Sequence, residues 1–372
     1  MQWHLHERGF LPLRDPVARL GQPDFQAAER LGADLPRLVA ERTFRTASVD
    51  SLSAPVDWDA ALPTLDGPAT ERLFQLYSYF ASAYVHSPGL PAIERIPAAI
   101  AAPLDRMARA VGRPPILAYA SYCLHNWRRD DPGRPVALGN IRLLQNFSLP
   151  GDGKEDEDWF ILVHVDIEAR AGPALNAVRS AADVMARDDT PGLERLLETT
   201  ATSLKDMNRT MARMPEGCRP EVYFRKVRPY IFGFTNVVYE GCADVTPRTY
   251  RGETGAQSSI VPTLLAALGV QHKDSLLTTH LADMRNYMPP PQREFIRTQP
   301  SVRAYVSRVG AGRLRELYNE CLRELITFRT KHFEYAVNYI EKRVENPLGT
   351  GGTPYVPWLR QLVEESKDHF LS

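Results

Sequence analysis

The chain has 372 residues, enough to bury a large core and more than a typical single domain needs. Lysine plus arginine and aspartate plus glutamate each number 45, so the formal net charge is zero, which argues against a general polyanion binder though not against a local basic site, and no nucleic acid is expected as a partner. A hydrophobic fraction of 44% with 24% charged residues is that of an ordinary soluble globule, and no run approaches the roughly 18–20 apolar residues of a membrane span.

The first residues, MQWHLHERGFLPLRDP, carry no apolar core segment and no small-residue cleavage site, so no secretory signal is expected. Cys123, Cys218, Cys242 and Cys321 are scattered without a CxxC pair, which suits reduced thiols and a cytoplasmic location. The N-terminal third is rich in proline, with helical stretches between the breaks. The clearest is 70–86, where Leu73, Leu76, Tyr77, Phe80 and Tyr84 share a face. Residues 104–111 and 116–127 are further helix candidates, the second preceded by Pro114 and Pro115. The polar stretch GDGKEDED at 151–158 is the best domain boundary in the chain, which predicts domains at 1–150 and 151–372.

Beyond it the helical signal dominates. WFILVHVDI at 159–167 reads as a buried strand by propensity, but no similar strand is evident to pair with it, so a buried helix is expected. Helices are predicted over 174–187, 193–214, 262–268, 273–288, 301–308 and 314–343. Together these elements give a mostly helical picture. Three stretches look unlike scaffold. RGETGAQSS at 251–259 is a small polar loop that brings backbone donors close to a ligand. GTGGT at 349–353 has the composition of a flexible connector and equally of an active-site lid. YFRKVRPYIFGF at 223–234 reads as a helix with a solvated basic face, or as an anion clamp beside an aromatic pocket.

His332 stands out in the last long helix. Leu314, Leu317, Cys321, Leu325, Ala336 and Tyr339 mark its apolar stripe, and His332 falls on that stripe. A core histidine bonded to a carbonyl explains it. So does an axial ligand of haem iron, because one neutral imidazole on a buried helix suffices.

Several segments in one order resemble the indoleamine 2,3-dioxygenase family, haem enzymes that open the indole ring of tryptophan. They are ERGFLP (7–12), RPPILAYA (113–120), NW (126–127), VYEG (238–241), GAQSS (255–259), DMRNYMPP (283–290), PSVR (300–303), KHFEYAVNYI (331–340) and GTGGT. The resemblance implies an all-α fold, with a smaller, mainly helical N-terminal domain covering the distal side and a large helical C-terminal domain that holds haem b, with His332 as the proximal ligand and His280, His272 and His125 as ordinary residues. It implies that Tyr223 packs on the indole, that Arg228 takes the substrate carboxylate, and that Tyr119 and Phe160 line the pocket. Gly255 and Ala256 fall in the loop beside haem and substrate, and Thr350 falls on the lid threonine. His164 stands at the distal position, where the best-studied animal enzymes have serine and where the related tryptophan 2,3-dioxygenases have a histidine that contacts the indole N–H; the alternative is a plain buried histidine. Leu265 replaces an aspartate that pairs with the arginine before the proximal histidine, so Arg329 is expected to find another partner, a haem propionate. Tyr122 and Phe232 replace smaller pocket residues.

The implied reaction joins O2 to L-tryptophan or a related indole and gives N-formylkynurenine, as in tryptophan catabolism by the kynurenine pathway. Two other readings stay open at this point: a haem enzyme of the same fold that mono-oxygenates a different indole, and a non-catalytic haem or gas-binding protein. The expected assembly is a monomer or a weak homo-oligomer.

Overall fold

Apolar residues at helical spacing dictate most of the architecture. The computed structural model describes residues 5–91, 93–310, 312–340, 342 and 355–372. Eight helices organise it: α1 (Gln26–Ala40), α2 (Gly67–Val85), α3 (Ala98–Val111), α4 (Lys154–Arg179), α5 (Thr190–Ala212), α6 (Ile260–Leu268), α7 (Gly312–Tyr339) and α8 (Tyr355–Lys367). Shorter helical turns connect them. Strands among the described residues are short. Arg95–Ile96 runs parallel to Phe234–Tyr239, which pairs antiparallel with Arg248–Tyr250. Trp127–Arg129 and Ile141–Leu143 form a separate antiparallel pair. No helix among the described residues is long and apolar enough to cross a membrane.

The stretch 159–167 lies inside α4, so it is helix and not strand. Its near-continuous apolar character has a physical cause: the helix is buried on two sides. Ile161, Leu162 and Val165 belong to a cluster built mainly from the N-terminal third, with Tyr230, Phe234, Met284 and Tyr287 added. Val163, Ile167, Ala171 and Leu175 belong to a second cluster with α5, α6 and α7, which also takes in Leu5 and Phe10. The acidic residues Glu155, Asp156 and Glu157, read as part of a boundary, form the first turn of α4, where negative charge complements the helix dipole. α5 packs between α4 and α7, and α8 lies on α7.

Proline hid some helices. Pro36 lies inside α1, and Pro357 lies in the first turn of α8, where a missing N–H costs nothing. The predicted helix at 116–127 is mostly not one. It is a single π-turn, Ala120–Leu124, followed by a strand. Asn126 ends it: its side-chain amide donates to Tyr122 O and Gln145 O, and its Oδ1 accepts from Gln145 N, so it joins the turn to the next strand.

Candidate functional site

α4 supplies one wall of the site. Phe160, His164 and Glu168 are four residues apart and therefore share a face. His164 Nδ1 lies 2.7 Å from Phe160 O. A carbonyl oxygen only accepts, so the proton sits on Nδ1 and Nε2 carries the lone pair. Burial lowers the His164 pKa, the bond to Phe160 opposing it, and the ring is neutral at physiological pH. The Phe160 ring lies 4.7 Å from that of His164 and 4.7 Å from that of Tyr223, centroid to centroid. Tyr119 meets His164 edge-on at 6.0 Å.

Two π-turns deliver the other aromatic groups. Tyr119 immediately precedes Ala120–Leu124, and Tyr223 opens Tyr223–Val227. In the second turn Arg228 N–H donates to Tyr223 O, so the wide turn brings Arg228 round to the Tyr223 side. Arg228 is buried, and its guanidinium lies over the rings of Phe232 at 4.6 Å and Phe224 at 5.6 Å. This stretch was read as a helix with a solvated basic face or as a clamp. Arg228 is inside while Arg225 is paired with Glu221 at the surface. Phe232, flagged as a bulky replacement, also accepts from His86 through its carbonyl oxygen at 3.0 Å.

The loop at 251–259 is pinned by glycine. A Cβ on Gly252 would lie 2.3 Å from Ile231 O, so only glycine lets this loop run against the turn that carries Arg228. Gln257 then reaches back: its Oε1 accepts from Tyr119 N at 3.0 Å, and its Nε2 donates to Gly252 O at 2.9 Å. Ser258 donates to Glu168 Oε1 at 2.8 Å, and the Tyr119 hydroxyl donates to the same oxygen at 2.9 Å. Glu168 is fully buried, and its Oε2 has no hydrogen-bond partner among the described residues. Burial raises its pKa to about 7, the bonds from Ser258 and Tyr119 opposing it. Sequence reasoning passed over Glu168, Gln257 and Ser258 as site residues. The four-residue spacing of Glu168 from His164, and the AQSS segment for Gln257 and Ser258, were the signals available.

His332 lies on α7, facing this group. The sequence predicted a buried imidazole, yet His332 is exposed. The protein around it still pushes its pKa down to about 4, chiefly by burial and then by the nearness of His164. The imidazole makes no hydrogen bond to any described residue, which sets aside the carbonyl-bonded core histidine. A Cβ on Gly255 would come 3.9 Å from His332 Nε2, so the loop passes beside this nitrogen.

These features fit haem. A neutral imidazole with its nitrogen free, aromatic walls and a second neutral imidazole facing it suit a flat apolar ring that brings four of its own nitrogen donors. Among the described residues no group of three histidine, cysteine, aspartate or glutamate side chains could hold a bare metal ion.

Arg329 has other partners than the expected propionate. Its guanidinium is buried and donates to His272 Nε2, Leu362 O and Ser366 Oγ. His272, read as an ordinary residue, is part of that arrangement. Tyr122 is fully buried, with its ring 6.5 Å from Phe160 and its hydroxyl without a partner among the described residues. Thr350 and the GTGGT segment lie outside the described residues.

A family model described as indoleamine 2,3-dioxygenase matches residues 1–347. Indoleamine 2,3-dioxygenase 1 of Rattus norvegicus is 30% identical, covering 100% of this chain and 95% of its own length. Indoleamine 2,3-dioxygenase 1 of Mus musculus is 33% identical over 84% of each chain. Indoleamine 2,3-dioxygenase of Saccharomyces cerevisiae is 30% identical over 96% of this chain and 90% of its own.

Proposed function

The chain belongs to the indoleamine 2,3-dioxygenase family, and on that premise we propose that it binds haem b on His332 and cleaves the indole C2–C3 bond of tryptophan, or of a close relative, to give N-formylkynurenine. The observation that carries this reading is His332 itself: a desolvated imidazole, close to the neutral imidazole of His164, that makes no hydrogen bond to any described residue. When bound, the haem supplies the iron chemistry that activates O2.

The protein's own residues bind, orient and exclude water. Phe160 and Tyr223 offer adjacent aromatic faces, which suit a stacked indole. Arg228, buried between two rings, makes two parallel charged hydrogen bonds to the substrate carboxylate. His164 Nε2, left as an acceptor by the bond at Nδ1, receives the indole N–H. Glu168 holds Tyr119 and Ser258 together, so the pocket wall and the 251–259 loop keep one relative position. Both atoms of O2 enter the product and no proton is lost overall. His164 therefore acts by orientation and need not serve as a base. Arg228 speaks against a plain gas-binding protein, since a diatomic gas offers nothing to a guanidinium. Four free thiols support a cytoplasmic location.

The test is turnover of tryptophan by the haem-loaded, reduced chain under labelled O2. A product carrying label at both new oxygen positions is expected. One labelled oxygen would point to mono-oxygenation, and tryptophan left intact by a haem-loaded, reducible protein would overturn the reading.

A further inference from the structure

Leu265 leaves Arg329 without an acidic neighbour at the position where the resemblance led one to look for it. The counter-charge comes from elsewhere. Arg329 Nη2 lies 3.1 Å from His272 Nε2, and His272 Nδ1 lies 2.8 Å from Glu365 Oε2. A guanidinium only donates, so His272 Nε2 is the acceptor and the ring proton sits on Nδ1, where the Glu365 carboxylate takes it. Glu365 Oε1 accepts from Gln361 at 2.8 Å. The other arm of Arg329 donates to Leu362 O at 3.0 Å and to Ser366 Oγ at 2.5 Å. Arg329, Glu365 and Ser366 are all buried. The arrangement is a cation, a neutral imidazole and an anion in line, tying α7 to α8.

Arg329 precedes His332 by three residues on α7. Side chains at that spacing are neighbours, with Cβ atoms about 5–6 Å apart. We propose that Glu365, acting through His272, is the counter-charge of Arg329, and that this relay is a positioning element of the proximal side that sets how readily the iron held by His332 is reduced. The argument rests on the haem reading above. Its physics is simple. A buried charge is poorly screened, so an unbalanced guanidinium close to the iron ligand favours the less positive, reduced state. Glu365 offsets that effect, and His272 transmits it because it can accept from one partner while donating to the other.

The experiment is a spectroelectrochemical titration of the haem-loaded full chain as wild type, Glu365→Gln, Arg329→Met and Glu364→Gln. Glu364 sits on the same helix but pairs with Lys367 at the surface, so it serves as the control. Glu365→Gln should move the midpoint potential positive and Arg329→Met should move it negative. Glu364→Gln should leave it in place, and all four proteins should keep a five-coordinate ferrous spectrum. A Glu365→Gln midpoint equal to that of wild type, or one matched by Glu364→Gln, would overturn the proposal. Urea unfolding of the apoprotein supplies a second measurement that needs no haem. In the Arg329→Met, Glu365→Gln cycle the double variant should lose no more stability than the worse single variant, whereas additive losses would mean that the two residues are not coupled. A wild type that takes up no haem would remove the proposed function and the redox half of this inference, while the unfolding cycle would still decide the coupling.

Discussion

At the scale of single residues, the tautomer of His164 makes the sharpest statement. The bond from Nδ1–H to Phe160 O leaves Nε2 as an acceptor and nothing else. 1-Methyl-tryptophan, which has lost the donor and gained bulk, should therefore be a much poorer substrate than tryptophan. His164→Ser should narrow the gap. Equal discrimination by the variant and the wild type, measured as the ratio of kcat/KM values, would reduce His164 to a core histidine. Arg228 makes a second statement at this scale. It sits buried against Phe232 and Phe224, where a charged hydrogen bond is weakly screened. Arg228→Ala should cost about 2–4 kcal/mol, roughly 30- to 1,000-fold in kcat/KM for tryptophan. Tryptamine, which lacks the carboxylate, should lose far less, and equal losses on both compounds would sink the clamp. The residue types were legible in the sequence. The tautomer was not, because the Phe160 carbonyl becomes a partner only once the helix forms.

At the scale of elements, α4 joins recognition to stability. Its Phe160, His164 and Glu168 face the same side, and Glu168 ties the helix to the Tyr119 turn and to the 251–259 loop. Burial raises the Glu168 pKa from 4.5 to about 7. The folded state thus binds a proton that the unfolded state releases between those values. Stability is fully present below about pH 4.5 and is lost as the pH rises towards 7. Glu168→Gln keeps an acceptor oxygen for Tyr119 and Ser258 but cannot ionise. Its unfolding free energy relative to wild type should therefore rise across that window, by up to about 3 kcal/mol. Urea melts at pH 4.5 and pH 7.5 check this; a constant difference between the two proteins would mean that Glu168 titrates normally. Periodicity did not announce α4 over 159–167, where strand propensity competed and only the lack of a partner strand pointed to helix. Two neighbouring elements were no easier to read: Ala120–Leu124 and Tyr223–Val227 are π-turns, and a single wide turn leaves no repeating pattern.

At the scale of the whole molecule, two hydrophobic clusters meet along α4, and α7 presents His332 from the second of them. An exposed imidazole that the protein nevertheless desolvates is a place where the apoprotein forgoes packing. A ligand that binds only the folded state stabilises it by mass action, by about 2.7 kcal/mol at a hundred times its dissociation constant. Haem loading should therefore raise the Tm of wild type clearly and that of His332→Ala much less, with His332→Ala still folded by circular dichroism. An equal rise in both proteins, or an unchanged haem spectrum in the variant, would place the ligand elsewhere. By itself the sequence determined the mostly helical character, helices such as those at 193–214 and 314–343, and the run of motifs from ERGFLP to KHFEYAVNYI that marks the family, since these depend on order and spacing along the chain. Only the tertiary structure decided that His332 is exposed instead of lying in the core, that Glu168 receives Tyr119 and Ser258, and that Arg329, His272 and Glu365 join in one hydrogen-bonded chain. The physical reason is distance along the chain. Glu168 meets partners 49 and 90 residues away, and Arg329 meets His272 across 57, so packing alone brings them within hydrogen-bond reach. Periodicity reports which face of a helix is buried and carries no information about which polar groups that face will meet.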